Sequence, residues 1–338
     1  MMRIRIEILV GILSVFSAAI NYCLATDELP ETIRVATWNV EWFFDDFKPD
    51  NRSDLGKNNS APSKVEWEWK LDQVARVVAE LEPTILAMQE VENRDVIFKL
   101  TKVLEEQHKL KYRYAFIDGN DFGTEQDVAL IYKSGLVEYS RREQTQEMFD
   151  TKDYYNLSKH LFARFEWGPE DSPQELVVAT LHFRAMPEQE ELRKRQGRLL
   201  HSWIKPALLR GENVIVLGDI NTEHRADKPV PDSDLGVLCG WNTSETNDDL
   251  TDLHTSLPAE LRNTHMIGRE FDRILVSPAL NFDDPSKKDL VFNRIISRKD
   301  LVVVGEQDKD HMDVYYQIPQ TERDISDHYP LMAEFVIK

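Results

Sequence analysis

Four short aliphatic runs in this chain each stop at a polar side chain suited to chemistry. Ile33 to Ala36 leads into Thr37-Trp38-Asn39, Ile85 to Met88 into Gln89-Glu90, Leu176 to Thr180 into Leu181-His182, and Val214 to Leu217 into Gly218-Asp219-Ile220-Asn221. Runs of this length, rich in β-branched residues, read as strands buried on both faces, and their carboxyl ends are where open sheets present polar groups. Two later segments carry the polar residues at their start: Phe271-Asp272-Arg273 opens Ile274 to Val276, and Ser326-Asp327-His328 precedes Tyr329-Pro330-Leu331. A fold with many such strands must bring their ends to one rim for the residues to act together.

Between these runs the periodicity changes to that of helices. Ser63 and Glu66 form a capping-box pair, and Trp67, Leu71, Val74, Val78 and Leu81 recur at helical spacing until Pro83. Asp95 to His108 and Glu188 to Ile204 read as two more amphipathic helices, whereas Lys48 to Pro62, rich in Asn, Asp and Ser, reads as a surface loop. Val128 to Tyr132 and Leu161 to Trp167 read as antiparallel strands. A sheet covered by helices on one face must bury the other, and the simplest way is against a second sheet. The expectation is therefore two packed mixed sheets between helical layers, in one continuous domain over residues 30–338, since no repeat or linker divides the chain.

The first residues carry a different signal. Arg3 and Arg5, the apolar stretch Ile8 to Ile20 and then Cys23-Leu24-Ala25 have the n-region, h-region and small-residue pattern of a secretory signal peptide over residues 1–25. The stretch is shorter than the roughly 20 residues of a membrane span, so export to the periplasm or medium, with no stable membrane anchor, is expected. Cleavage after Ala25 removes Arg3, Arg5 and Glu7, taking the formal charge from −19 to −20, and leaves Cys239 as the remaining cysteine. No intramolecular disulfide is then possible.

Taken singly, each polar group has an ordinary structural explanation. Asn39, Asp219 and Asn221 are good turn formers, Asp272 beside Arg273 makes an ion pair, and Asp327-His328 caps a strand. Taken together, carboxylates for a hard cation, neutral amides for phosphate oxygens and histidines that exchange protons near neutrality suit metal-assisted hydrolysis of a phosphate ester.

In order and spacing these motifs resemble the endonuclease/exonuclease/phosphatase superfamily, from about Ile33 to the carboxyl end. The resemblance implies a four-layer α/β/β/α sandwich. It also implies that Asn39, Glu90 and Asp327 organise Mg²⁺, with Mn²⁺ or Ca²⁺ as other hard cations. Asp219 would activate the attacking water, Asn221 would place the phosphate, and His328 paired with Asp272 would stabilise the transition-state charge or move a proton. His182 resembles the second histidine of the pancreatic-type deoxyribonuclease branch, and Asp127 is its candidate carboxylate partner.

The expected activity is phosphodiester hydrolysis by activated water, with DNA as substrate. A charge near −20 opposes approach to a polyanion, although a bound cation offsets this locally. A lipid or small phosphate ester as substrate, or a catalytically silent binding protein, are the readings to be separated from it. Arg184 shares a face with His182 if the strand continues. Arg193, Lys194, Arg195 and Arg198 read as a solvated helix face, and Trp42-Phe43-Phe44 as core filling or a stacking platform for bases. No protein partner is expected.

Overall fold

A computed structural model describes residues 27–286, 288–307 and 311–338. The expected signal segment therefore lies outside the described residues. Twelve strands are found among those residues: β1 (Thr32–Phe43), β2 (Ile85–Val91), β3 (Arg113–Phe116), β4 (Asp127–Tyr132), β5 (Leu136–Ser140), β6 (His160–Trp167), β7 (Gln174–His182), β8 (Val214–Asp219), β9 (Thr251–Asp252), β10 (Asp272–Val276), β11 (Leu290–Ser297) and β12 (Leu331–Ile337). They form two six-stranded sheets, ordered β11-β12-β1-β2-β4-β3 and β5-β6-β7-β8-β10-β9. Each sheet holds one parallel pair, β1 with β2 and β7 with β8, flanked by antiparallel neighbours.

Side-chain alternation makes the layers. In β1, Ile33 and Val35 enter the core between the sheets, while Ala36 and Trp38 enter the core under the helices. In β8, Ile215 and Leu217 face the other sheet, and Val214 and Val216 face the opposite way. Period-two alternation with both faces apolar is what a central strand in a layered sandwich requires. Helices α1 (Asp54–Asn59), α2 (Lys64–Leu81) and α3 (Arg94–His108) precede β3, and α4 (Gln146–Thr151), α5 (Glu190–Leu209) and α6 (Asp234–Cys239) follow β5. Buried residues of α2 and α3 pack on the first sheet, and those of α5 and α6 on the second. The result is the expected four-layer α/β/β/α sandwich.

Several local expectations need correction. The segment from Lys48 to Pro62 is not simply a surface loop: Ser53 caps α1, and Asn51, Gly56, Ser60 and Ala61 are buried. Ser63 caps α2 as expected, but Glu66 turns to Arg323, 2.6 Å away, so the reciprocal half of the capping box is absent. Helix α5 runs through Pro206 to Leu209. The proline removes one helical N–H, yet burial of Ile204 and Leu208 holds the last turns in place. Arg193 is not on a solvated face: it is fully buried, with Nε 2.5 Å from Asp234 Oδ2 and Nη1 donating to the carbonyls of Arg184 and Met186. Arg195 and Arg198 likewise hold the carbonyls of Tyr154 and Asp153.

Candidate active site

The carboxyl ends of the two parallel pairs meet across the gap between the sheets. Asn39 ends the regular part of β1, before a register shift between Asn39 and Phe43, and Glu90 lies at the corresponding bulge in β2. His182 and Asp219 end β7 and β8 and stand opposite each other in register. That register depends on Gly218, whose φ is +144° and whose place would put a Cβ 2.0 Å from the Leu181 carbonyl oxygen. No other residue lets β7 approach so closely just before Asp219.

One amide joins the two rims. Asn39 Nδ2 lies 3.1 Å from Glu90 Oε1, 3.1 Å from Asp219 Oδ2 and 3.4 Å from His328 Nε2. Asp219 Oδ2 also faces His182 Nε2 at 3.4 Å and His328 Nε2 at 3.7 Å, while its Oδ1 accepts the Asn221 backbone N–H at 2.9 Å. His328 Nδ1 is 2.7 Å from Asp272 Oδ2, on the strand paired with β8. Asp327 Oδ1 lies 3.9 Å from His328 Nε2. Asn39, Glu90, His182, Asp219, Asn221, Asp272, Asp327 and His328, scattered over nearly three hundred residues, thus form one contact network.

Backbone and neighbouring side chains fix these groups. Trp38 Nε1 donates to the His328 carbonyl, Ser326 Oγ to the Asn39 carbonyl, and the His328 N–H to Ser326 Oγ. The Trp42 N–H donates to Glu90 Oε2 at 2.9 Å, and Asn221 Nδ2 to the Phe183 carbonyl at 3.2 Å. Glu41, Trp42, Glu90 and Asn221 all have positive φ. Left-handed backbone at non-glycine residues costs on the order of 1–3 kcal/mol each, so the surrounding contacts hold the rim in a shape the local chain resists.

The electrostatics separate the groups. Burial pushes the Glu90 carboxyl up to about 7, and the negative Asp327 adds to the shift. Burial also raises Asp219, against the opposing pull of His328. For His328, burial works against the charge, but Asp272, Asp327 and Asp219 outweigh it and hold the imidazole well above its ordinary value. Burial keeps His182 well below its ordinary value, with the Lys159 charge as the next cause. Asp327 is held below the usual carboxylate range because His328 and a hydrogen bond from His265 overcome its burial. Glu90, raised chiefly by burial, also feels the Asp327 charge, and two carboxylates together in a buried place fit a hard divalent cation.

Asp127 is not part of the network. Its Oδ1 accepts the Gly119 N–H at 2.8 Å, while Gln126, one position earlier, accepts from Lys159 Nζ at 2.9 Å. Among the described residues His182 Nδ1 has no hydrogen-bond partner. The expected Asp127–His182 pair is therefore absent, because a main-chain N–H has captured the carboxylate. Arg184 does not share a strand face with His182, since β7 ends at His182 and Arg184 is exposed. His160 is a structural histidine: its Nδ1 is 2.6 Å from the Leu157 carbonyl and its Nε2 accepts the Arg142 N–H. Phe43 and Phe44 are core, while Trp42 is half-buried and lines a crevice of about 250 Å³ with Tyr315 and Tyr316.

Two residues at the site had no sequence signal. Glu41 Oε2 accepts the Asp327 N–H at 3.0 Å and is 2.6 Å from His311 Nδ1. His265 places its ring 4.4 Å from that of His328. Neither ends or opens one of the strand-like runs that mark the others.

The fold is similar to that of solved proteins. A human nocturnin catalytic domain with bound sulfate has a TM-score of 0.55 and 17% identity, covering 92% of this chain and 96% of that one. An endonuclease/exonuclease/phosphatase protein from Bacteroides vulgatus has a TM-score of 0.55 and 16% identity, with coverage of 91% and 100%. TDP2 from D. rerio, complexed with single strand DNA product, has a TM-score of 0.53 and 16% identity, with coverage of 90% and 99%. No match was found among curated protein sequences. The family model for the endonuclease/exonuclease/phosphatase family matches residues 36–328, from the strand that carries Asn39 to His328 itself, and the chain belongs to that family.

Proposed function

We propose that this chain is an exported, divalent-cation-dependent phosphodiesterase of the nuclease kind that hydrolyses DNA. The observation that carries the reading is the Asn39 amide touching Glu90, Asp219 and His328 at once, which brings two carboxylates and an imidazole around one point. Similarity to a structure with a single strand DNA product supports the substrate class, and the signal-like segment of residues 1–25 supports export.

Glu90 and Asp327, with Asn39 orienting Glu90, would hold the cation. Bound there, Mg²⁺ or a similar ion would polarise the phosphoryl group and offset its charge. Asp219 is raised toward neutrality by burial, so its Oδ2 is a stronger base than an exposed aspartate and takes the proton of the attacking water. Asn221 fixes Asp219 through its backbone N–H, and its amide, which already donates to the Phe183 carbonyl, would place a phosphate oxygen. His328, held charged by Asp272, presents Nε2–H to the developing negative charge. His182, kept neutral by burial, gives a second imidazole beside Asp219. One P–O bond forms to the water oxygen and one breaks to the leaving alkoxide, which would take a proton from the charged His328 imidazole while Asp219 keeps the proton of the water.

A small phosphate ester is the second reading, favoured by the formal charge of −19, which repels a polyanion. A panel of plasmid DNA, choline and inositol phosphates, with Mg²⁺, Mn²⁺, Ca²⁺ or chelator, separates them. The proposal expects chelator-sensitive release of acid-soluble nucleotides; hydrolysis confined to the small esters overturns the DNA assignment.

A further inference from the structure

His265 sits in a tight hairpin that is strapped to the Asp327-His328 segment. The N–H groups of Thr264 and His265 donate to the Arg269 carbonyl, that of Met266 to the Asp327 carbonyl, and that of Tyr329 to the Thr264 carbonyl. Backbone bonds on both sides leave the His265 ring little freedom. It packs edge-on against His328 and, at 5.2 Å between centroids, against Phe271.

Its two nitrogens have different partners. Nδ1 accepts the Ile267 N–H at 3.2 Å, and Nε2 lies 3.2 Å from Asp327 Oδ2. An imidazole nitrogen that accepts an N–H carries no proton, so in the neutral ring the proton is on Nε2. That proton points at Asp327.

The ligand-capable atoms of His265, Asp327 and His328 all lie within 4.8 Å of one another, which suggests a three-residue metal site. The hydrogen bonding argues otherwise. Coordination through His265 Nε2 needs that nitrogen bare, moving the ring proton to Nδ1, where it would oppose the Ile267 N–H. His328 Nδ1 is already committed to Asp272.

We propose that His265 is a positioning residue: its Nε2–H holds Asp327 Oδ2, leaving Oδ1 to face the cation, and His265 itself does not bind metal. This rests on the functional reading above, in which Asp327 serves the cation. A carboxylate pinned by one oxygen loses its rotational freedom before the cation arrives, and partners of this kind are worth about 10–100-fold in metal affinity.

The test uses the purified full chain labelled with ¹⁵N-histidine, with the His265 signal assigned by its loss in His265→Gln. Long-range ¹H–¹⁵N spectra above neutral pH should show Nε2 protonated and Nδ1 bare, with and without Mg²⁺. A bare Nε2, or loss of the Nε2 proton on adding Mg²⁺, overturns the inference. Calorimetric titration with Mn²⁺ gives the second reading. His265→Leu should bind about 10-fold more weakly, and His265→Gln, which keeps a donor at the same reach, should stay within about 3-fold of the parent. Equal affinity of His265→Leu and the parent, or equal loss in both variants, overturns it. If His265→Leu does not fold, the spectra and His265→Gln still decide. A parent chain that binds Mn²⁺ but hydrolyses no phosphodiester would sink the functional reading and leave the His265 tautomer to stand on its own measurement.

Discussion

The two sheets are built alike but end differently. Each has a central parallel pair with antiparallel flanks, yet β1 and β2 end in an amide and a carboxylate pushed up to about 7, while β7 and β8 end in a neutral imidazole and an aspartate. The first rim, with Asp327 nearby, offers buried oxygen ligands and suits a cation. The second, with Asp272, holds the groups proposed to exchange protons. His328 joins them: it precedes β12 of the first sheet but is bonded to Asp272 of the second. On the proposed reading, the difference teaches that one layered scaffold can separate metal binding from proton transfer by assigning each to its own sheet.

If His328 is the joint between the rims, its loss should hurt most. His328→Ala is expected to lower kcat on the order of 10³-fold while the protein stays folded, measured by steady-state hydrolysis beside a thermal melt. Unchanged turnover would break the comparison. Next is the geometry of the second rim. Gly218→Ala should destabilise the fold on the order of 3 kcal/mol in urea unfolding, because the new Cβ meets the Leu181 carbonyl at 2.0 Å.

The first rim has its own test. Glu90→Gln should weaken Mn²⁺ binding at least about tenfold in calorimetry, with a smaller effect from His182→Gln, which belongs to the other rim. The pH dependence follows with its sign fixed by Glu90. A carboxyl raised to about 7 is protonated below that pH and must release the proton to take a cation, so affinity should fall about tenfold from pH 7.5 to pH 6. Affinity that stays level across this range would mean Glu90 is not the ligand. The smallest effect is expected at Asp127, which lies outside both rims: Asp127→Asn should leave kcat within about twofold, and a large loss would restore it to the site.

What the sequence made legible was the set of strands whose ends carry the chemistry. Those strands are central, buried on both faces, and so are spelled in continuous aliphatic letters, as in Val214 to Leu217. Edge strands were not legible. Strand β5, Leu-Val-Glu-Tyr-Ser, is short and largely exposed, so no buried aliphatic run marks it, and α1, with a glycine and two asparagines, depends on its Ser53 cap and not on propensity. Within the site, Asn39, Glu90, Asp219 and His328 were legible because motif order survives in the chain. His265 was not, since its partner Asp327 is 62 positions away and only the hairpin's backbone bonds bring them together. Asp127 misled for the opposite reason: it stands beside a clear strand, but the Gly119 N–H takes its carboxylate.

On the proposed reading, the two rims meet at one cation placed on the first of them. Crystals soaked in Mn²⁺ and measured for anomalous scattering test this most directly. A peak bridging the Glu90 and Asp327 carboxylates is the predicted result; a peak held instead by His265 and His328, or only by the Asp45, Asp50 and Glu92 cluster, would contradict it.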